Sequence, residues 1–207
     1  MSDDLKLTEL QLDALKEFGN IASGNAATAL SQLIGKKIGM SPPSLNIVKV
    51  EELTRHIGKD DDYVAGILFK IYGPMAGSIL LTFNREDALN LTNLLIADEG
   101  NNKNILSPLG ESALKEAGNI IAGAYITALS ELMHKTLLLS VPQIAIDMLS
   151  AIIDFIQIEI DEMSGYALLI KIMFIEEQES IQGHFYLLPD RTFLNLMLEE
   201  INSFTRD

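Results

Sequence analysis

The 207-residue chain has no cysteine and no tryptophan. Without cysteine there can be no disulfide, no thiolate metal site and no cysteine nucleophile. Cations are also scarce: 15 Lys plus Arg stand against 29 Asp plus Glu, a formal charge of −14 with neutral His. A surface of that sign repels phosphate backbones, so no nucleic-acid partner is expected. No apolar run approaches the ~18 residues that span a bilayer. The opening Met1-Ser2-Asp3-Asp4-Leu5-Lys6 lacks the apolar stretch of a secretion signal. The expectation is a cytoplasmic protein with no membrane partner. His56, His134 and His184 show neither HExxH nor i,i+4 spacing and read as surface or structural side chains. There is no GxxxxGK[ST] and no GxSxG. Asp60-Asp61-Asp62 lacks EF-hand spacing and reads as a solvated loop.

What is present is an internal repeat. Shifted by 99 residues, positions 14–33 lie over 113–132 with 13 of 20 identities, where unrelated windows give roughly one or two. Ala14-Leu15-Lys16-Glu17 and Gly19-Asn20-Ile21 recur as Ala113-Leu114-Lys115-Glu116 and Gly118-Asn119-Ile120, and Pro43/Pro142 keep the offset. Two units of about 100 residues are too few for a solenoid. They predict a single domain over 1–207 with pseudo-twofold symmetry, its halves about 1–100 and 101–207.

Both halves read alike. Helical periodicity over 8–35 ends at Gly35, and Pro42-Pro43 breaks the chain before a strand over 45–50. Residues 51–62 read as a polar loop, 63–72 and 76–83 as strands around Gly73-Pro74, and Asn84 as the cap of a helix to about Ile96. A polar linker is expected at 98–104. The second half predicts a helix over about 108–134, strands near 154–160, 165–174 and 181–188, and a last helix at 191–203. Helices alternating with antiparallel hairpins define an α+β class with strands packed against long helices.

At ~100° per residue, Leu12, Leu15, Phe18, Ala22, Ala26, Ala29, Leu30 and Leu33 share an apolar stripe. Asp13, Glu17, Asn20, Gly24, Ala27, Thr28 and Ser31 face away from it, as do Ser112, Glu116, Asn119, Gly123, Ile126, Thr127 and Ser130 in the second copy. Glu and Asn at i and i+3 are neighbours on one patch. A mid-helix Gly costs ~1 kcal/mol relative to Ala; on an outward face it admits the backbone of another molecule. Two bland readings compete: an ordinary solvated face, or glycines that relieve a helix–helix contact inside the domain. Lys16 and Lys115 either steer a partner or pair with neighbouring acids.

Asn is no general base, but its amide can donate to and accept from a water. That suits phosphoryl transfer, where positioning alone supplies much of the acceleration. Glu can pair with a cation of the substrate.

The doubled pattern, Asp13-x-x-x-Glu17-x-x-Asn20 then Pro43, and Ser112-x-x-x-Glu116-x-x-Asn119 then Pro142, resembles the signature of the CheC/CheX/FliY phosphatase family. Two complete motifs are like those of its CheC branch, and the resemblance extends over the whole chain. It implies hydrolysis of the aspartyl phosphate of CheY-P. Asn20 and Asn119 would orient the water, and Glu17 and Glu116 would pair with the regulator's Lys. Mg²⁺ would be supplied by the phosphorylated regulator, with no cofactor of the chain's own. The family also implies a second partner, the receptor deamidase CheD. The segment Ile146–Asp154 looks like its docking segment, with Asp147 as the acidic contact; on the residues alone it reads equally as a buried strand or short core helix. The competing class is a non-catalytic module that sequesters CheY-P or CheD, or a flagellar-switch component. A monomer is favoured, though oligomeric state is not legible in the sequence.

Overall fold

The computed structural model describes residues 8–41, 44–57, 59–96, 105–159, 165–176 and 179–203. The first half runs α1 (Glu9–Ile34), β1 (Gly39–Met40), β2 (Ser44–Lys49), a 3-10 turn (Val50–Glu52), α2 (Leu53–Ile57), β3 (Tyr63–Tyr72), β4 (Gly77–Asn84) and α3 (Arg85–Leu95). The second repeats that order: α4 (Pro108–Leu132), β5 (Leu138–Leu139), β6 (Gln143–Met148), α5 (Leu149–Glu159), β7 (Tyr166–Glu176), β8 (Glu179–Pro189) and α6 (Arg191–Ser203).

The helix starts follow from their caps. Thr8 Oγ1 accepts from Gln11 N–H at 3.3 Å while Gln11 Oε1 accepts from Thr8 N–H at 2.8 Å, a reciprocal capping box. Gln11 Nε2 also donates to Asn202 Oδ1 at 2.8 Å and ties α1 to α6. Ser107 caps α4 with Pro108 as its first residue, and Asn84 caps α3. At the far end of α1, Gly35 sits at φ 71, in the left-handed region. At the same repeat position beyond α4 stands His134, at φ 49, where a side chain costs about 1 kcal/mol.

The eight-stranded antiparallel sheet has the order β1-β7-β8-β4-β3-β5, with β2 also pairing β7 and β6 also pairing β3. Each half thus lends its first strands to the hairpin of the other. Leu45 lies opposite Ile170 and Ile47 opposite Leu168; reciprocally, Ile146 lies opposite Ala65 and Ile144 opposite Ile67. The halves meet at β4 and β8, where Leu81 faces Phe185.

Alternate strand residues point to opposite faces. Ile67, Phe69, Ile79, Leu81, Phe83, Ile170 and Phe185 join Leu15, Phe18, Leu114 and Ile121 of α1 and α4 in the larger core. Leu68, Leu80, Leu169, Tyr186 and Leu188 pack on the other face with Leu53, Leu149, Ile152 and Ile156 of α2 and α5. Gly118 lets α4 lie directly on β3: a Cβ there would stand 3.0 Å from Ile67 Cδ1.

The expected strand at 154–160 is overturned, because Leu149–Glu159 is helical. Leu149, Ile152, Ile153 and Ile156 are all buried at i, i+3, i+4, i+7 spacing, and their isoleucine content hides that period behind strand propensity. The expected loop at 51–62 holds a helical turn, anchored by fully buried Leu53. Strands β1 and β5 were not anticipated, and β6 only as one of the two readings of Ile146–Asp154. Pro43, the Pro42-Pro43 break and the 98–104 linker lie outside the described residues. Among the described residues no helix is long and apolar enough to cross a membrane.

His184 on β8 faces the second core, between cross-strand neighbours Thr82 and Lys171, its ring stacked on Tyr186 with centroids 6.2 Å apart. Burial, helped by the Lys171 charge, lowers its pKa from 6.5 to about 4. The folded chain therefore binds fewer protons than the unfolded chain between those values, so stability falls as pH drops through that window. At 1.36 kcal/mol per unit, the loss attributable to His184 is about 3 kcal/mol. Denaturant titrations at pH 6.5 and 4.5 should show this slope, and His184→Asn should remove most of it.

Candidate functional site

The residues singled out by the repeat lie on two long helices, α1 and α4. Glu17, Asn20, Gly24 and Thr28 on α1 are exposed, and so are Ser112, Glu116, Asn119 and Thr127 on α4. Beneath them the apolar stripe is sealed: Leu15, Ala22, Ala26, Leu30, Leu114, Ile121 and Ala122 are fully buried. The helical spacing therefore holds each Glu and Asn outward, side by side on one patch. Among the described residues, none forms a hydrogen bond or ion pair with the side chains of Glu17, Asn20, Glu116 or Asn119. Four unpartnered polar groups in solvent can meet an arriving molecule without first breaking an internal contact.

The glycines sharpen this picture. A Cβ at Gly24 or at Gly123 would meet nothing within 4 Å. The reading in which they relieve a helix–helix contact is thereby removed. Each keeps a stretch of helix low and smooth one turn beyond its Asn.

Other duplicated outward residues turn out to be structural. Ile38 N–H donates to Ser31 Oγ at 2.9 Å, and Leu137 N–H donates to Ser130 Oγ at 3.3 Å. In both halves this serine fastens the departing chain to its helix. The same return covers Ile126, expected to face out but only 5% exposed and clustered with Leu137. Conversely Leu33, expected in the stripe, is 46% exposed in the last turn of α1. Lys16 Nζ pairs with Asp13 Oδ1 at 3.0 Å, and Lys115 Nζ with Glu111 Oε2 at 3.9 Å. These exposed helix pairs contribute a few tenths of a kcal/mol at most, so both lysines pair locally and the steering reading stands beside that pairing.

Sequence reasoning missed what braces the two helices. Tyr125, 1% exposed, stacks on Phe185 with centroids 4.3 Å apart and meets Phe18 edge-on at 5.9 Å. Its hydroxyl shares a 2.7 Å hydrogen bond with Ser23 of α1. Burial, against the opposing pull of that bond, pushes the phenol up to about 12. The only sequence signal was negative: 26/125 and 23/122 are positions where the copies disagree.

Asp147 lies elsewhere, on β6 opposite Val64 and on the α5 side of the sheet. It is exposed, and its Oδ1 accepts from Met148 N–H at 2.7 Å. With Leu68, Ile144, Ile152 and half-exposed Phe155 it lines an apolar groove of about 380 Å³. The segment after it is the end of a strand followed by an amphipathic helix, so both bland readings were partly right. Among the described residues no three His, Asp or Glu side chains converge as a metal cluster would require.

Helical glycines in open space predict a specific stability response. Gly24→Ala and Gly123→Ala should each raise the unfolding free energy by roughly 0.5–1 kcal/mol, measured by urea titration. A loss of stability would mean that the glycines are needed for packing after all.

The CheC-like family model matches residues 10–47 and 109–146, two windows set 99 residues apart like the repeat itself. The chain is 34% identical over 191 residues to the CheY-P phosphatase CheC of Bacillus subtilis (strain 168), covering 89% of this chain and 90% of that protein. In structure it resembles FliY of Thermotoga maritima, with a TM-score of 0.73 at 22% identity, covering 96% and 99% of the two chains. It also resembles a chain of the CheX–CheY–BeF3–Mg²⁺ complex of Borrelia burgdorferi, with a TM-score of 0.52 at 16% identity over 84% of this chain and 98% of that one.

Proposed function

The chain belongs to the CheC-like family, and from that premise we propose that it hydrolyses the aspartyl phosphate of a CheY-type response regulator. The relative named as a CheY-P phosphatase, at 34% identity over nearly the full length of both chains, supports the activity. The observation that carries the mechanism is the doubled outward display of Glu17/Asn20 and Glu116/Asn119, with no internal partner among the described residues.

An acyl phosphate is already prone to hydrolysis, so a catalyst gains most by placing the water. The Asn20 or Asn119 carboxamide can accept a hydrogen bond from that water and donate another to it. It thereby fixes the oxygen in line with phosphorus and opposite the bond to the aspartyl carboxylate. The water oxygen bonds to phosphorus, the acyl P–O bond breaks, and inorganic phosphate leaves the regenerated carboxylate. Glu17 or Glu116 sits one helical turn before each Asn and pairs with the regulator's active-site Lys, which sets the depth to which the amide enters. The regulator supplies Mg²⁺; the CheY-containing complex of a fold relative holds that ion. The open backbone around Gly24 and Gly123 leaves room for the regulator's loops. A non-catalytic binding module would use the same helix face but have no need of the amides.

We further propose that the receptor deamidase CheD docks at Asp147 and the neighbouring groove. The support is an exposed carboxylate beside an apolar recess and the half-exposed Phe155. This surface is on the opposite face of the sheet from α1 and α4, so the two partners need not compete for space.

The amides are tested by Asn20→Ala with Asn119→Ala, assayed by phosphate release from phosphorylated CheY. The acceleration should vanish while stability changes by less than ~0.5 kcal/mol, because both positions are exposed. Glu17→Ala with Glu116→Ala should raise KM more than it lowers kcat. Retained acceleration in the double Asn variant would reject the amides as the water-positioning groups, and no acceleration by the unaltered chain would reduce it to a binding module. For the second surface, Asp147→Lys should weaken CheD binding at least tenfold in a titration, since it places a cation where a carboxylate is invoked, and leave CheY-P hydrolysis unchanged.

A further inference from the structure

The two candidate sites carry the same motif but are not supported in the same way. Ser23 Oγ and Tyr125 Oη form their 2.7 Å bond in the interior, the two side chains 4% and 1% exposed. Ser23 lies on α1 at i+3 from Asn20, directly beneath that surface patch. The ring of Tyr125 also meets Phe18, which stands between Glu17 and Asn20 in the sequence. Tyr125 therefore touches α1 at two points, at Phe18 within the segment that displays the first Glu–Asn pair and at Ser23 about one turn beyond it.

Among the described residues no side-chain hydrogen bond or ring contact of the same kind braces the second pair from α1. The repeat partner of Tyr125 is Ala26 on α1, and the partner of Ser23 is Ala122 on α4. Neither alanine can span the gap or supply a hydroxyl. Phe18 itself is replaced by Ala117 beneath the second pair.

From this asymmetry we infer that Tyr125, acting through Ser23, is a positioning residue for the Glu17–Asn20 site and not for the Glu116–Asn119 site. The inference rests on the phosphatase reading above, with the two pairs as its working groups. The physical content is a choice of partner for the Ser23 hydroxyl. A helical serine that loses its external partner turns back to the carbonyl at i−4, a bond that bends helices. For Ser23 that carbonyl belongs to Gly19, the residue immediately before Asn20. With Ser23 donating to Tyr125, the serine proton is held away from its own helix, which keeps α1 straight where the amide is mounted. A displacement of a fraction of an ångström at a water-positioning group lowers turnover without touching the substrate.

The test uses full-length chains in which only one pair works. Tyr125→Phe keeps the ring and its contacts with Phe18 and Phe185 and deletes only the hydroxyl. It is combined with Asn119→Ala, leaving the first site, and separately with Asn20→Ala, leaving the second. Phosphate release from phosphorylated CheY should fall in kcat by roughly threefold or more in the first background and stay within experimental error in the second, with KM unchanged in both. A general loss of stability would lower both backgrounds alike, so an equal fall, an absent effect, or a fall confined to the second site overturns the assignment. Adding Ser23→Ala to Tyr125→Phe removes the hydroxyl that would turn back to Gly19, so kcat at the first site should recover; no recovery overturns the route through Ser23. Amide hydrogen exchange is a readout independent of catalysis. In Tyr125→Phe, exchange over residues 17–24 should quicken while exchange over 116–123 does not; unchanged exchange in both segments overturns the proposal. If neither single-site chain accelerates hydrolysis while exchange behaves as expected, the phosphatase reading fails and the bracing role stands.

Discussion

The structure depends on an exchange of strands between its two halves. β2 from the first half completes the hairpin of the second at β7, and β6 from the second completes the hairpin of the first at β3. Neither hairpin has its full hydrogen-bonding complement within its own half. The exchange brings β4 and β8 side by side at the centre and lays α1 and α4 against each other across the middle of one face. Everything proposed about function depends on that placement, because it leaves the outer stripes of both helices in solvent.

The site needs little machinery of its own. Water-excluding pockets, buried acids and preorganised oxyanion donors are the usual means of lowering a barrier, and none is seen on the α1 or α4 display face among the described residues. What the face offers is rigidity and reach: a helix anchored by a sealed core, a carboxylate and an amide one turn apart, and a bare backbone beyond. Such an arrangement makes sense where the partner brings a nearly complete reaction centre and lacks only a fixed water.

Much of this was legible in the sequence because duplication acts as an internal comparison. Identities at Glu17/116 and Asn20/119 on an outward stripe could not be explained by core packing, and they proved exposed. The same logic overreached at Ser31 and Ser130, whose identity reflects a shared structural bond to the following turn. It failed at 154–159, where the last turns of an isoleucine-rich helix imitate a strand, and it could not find strands as short as β1 and β5, which are defined by their partner rather than by any local pattern. The Ser23–Tyr125 bond was invisible for a different reason. Each partner stands opposite an alanine in the other copy, so a search for agreement passes over both.

A strict twofold assembly of separate chains would force every side chain to appear in pairs. Joining the two halves in one polypeptide lifts that obligation. A tyrosine on α4 can then be opposed by alanine on α1, and a glycine at the turn after α1 can become a histidine after α4, with no mirrored consequence. The covalent link is thus what allows one ancestral surface to become two that differ in their footing, and selection can tune either without disturbing the scaffold that holds both.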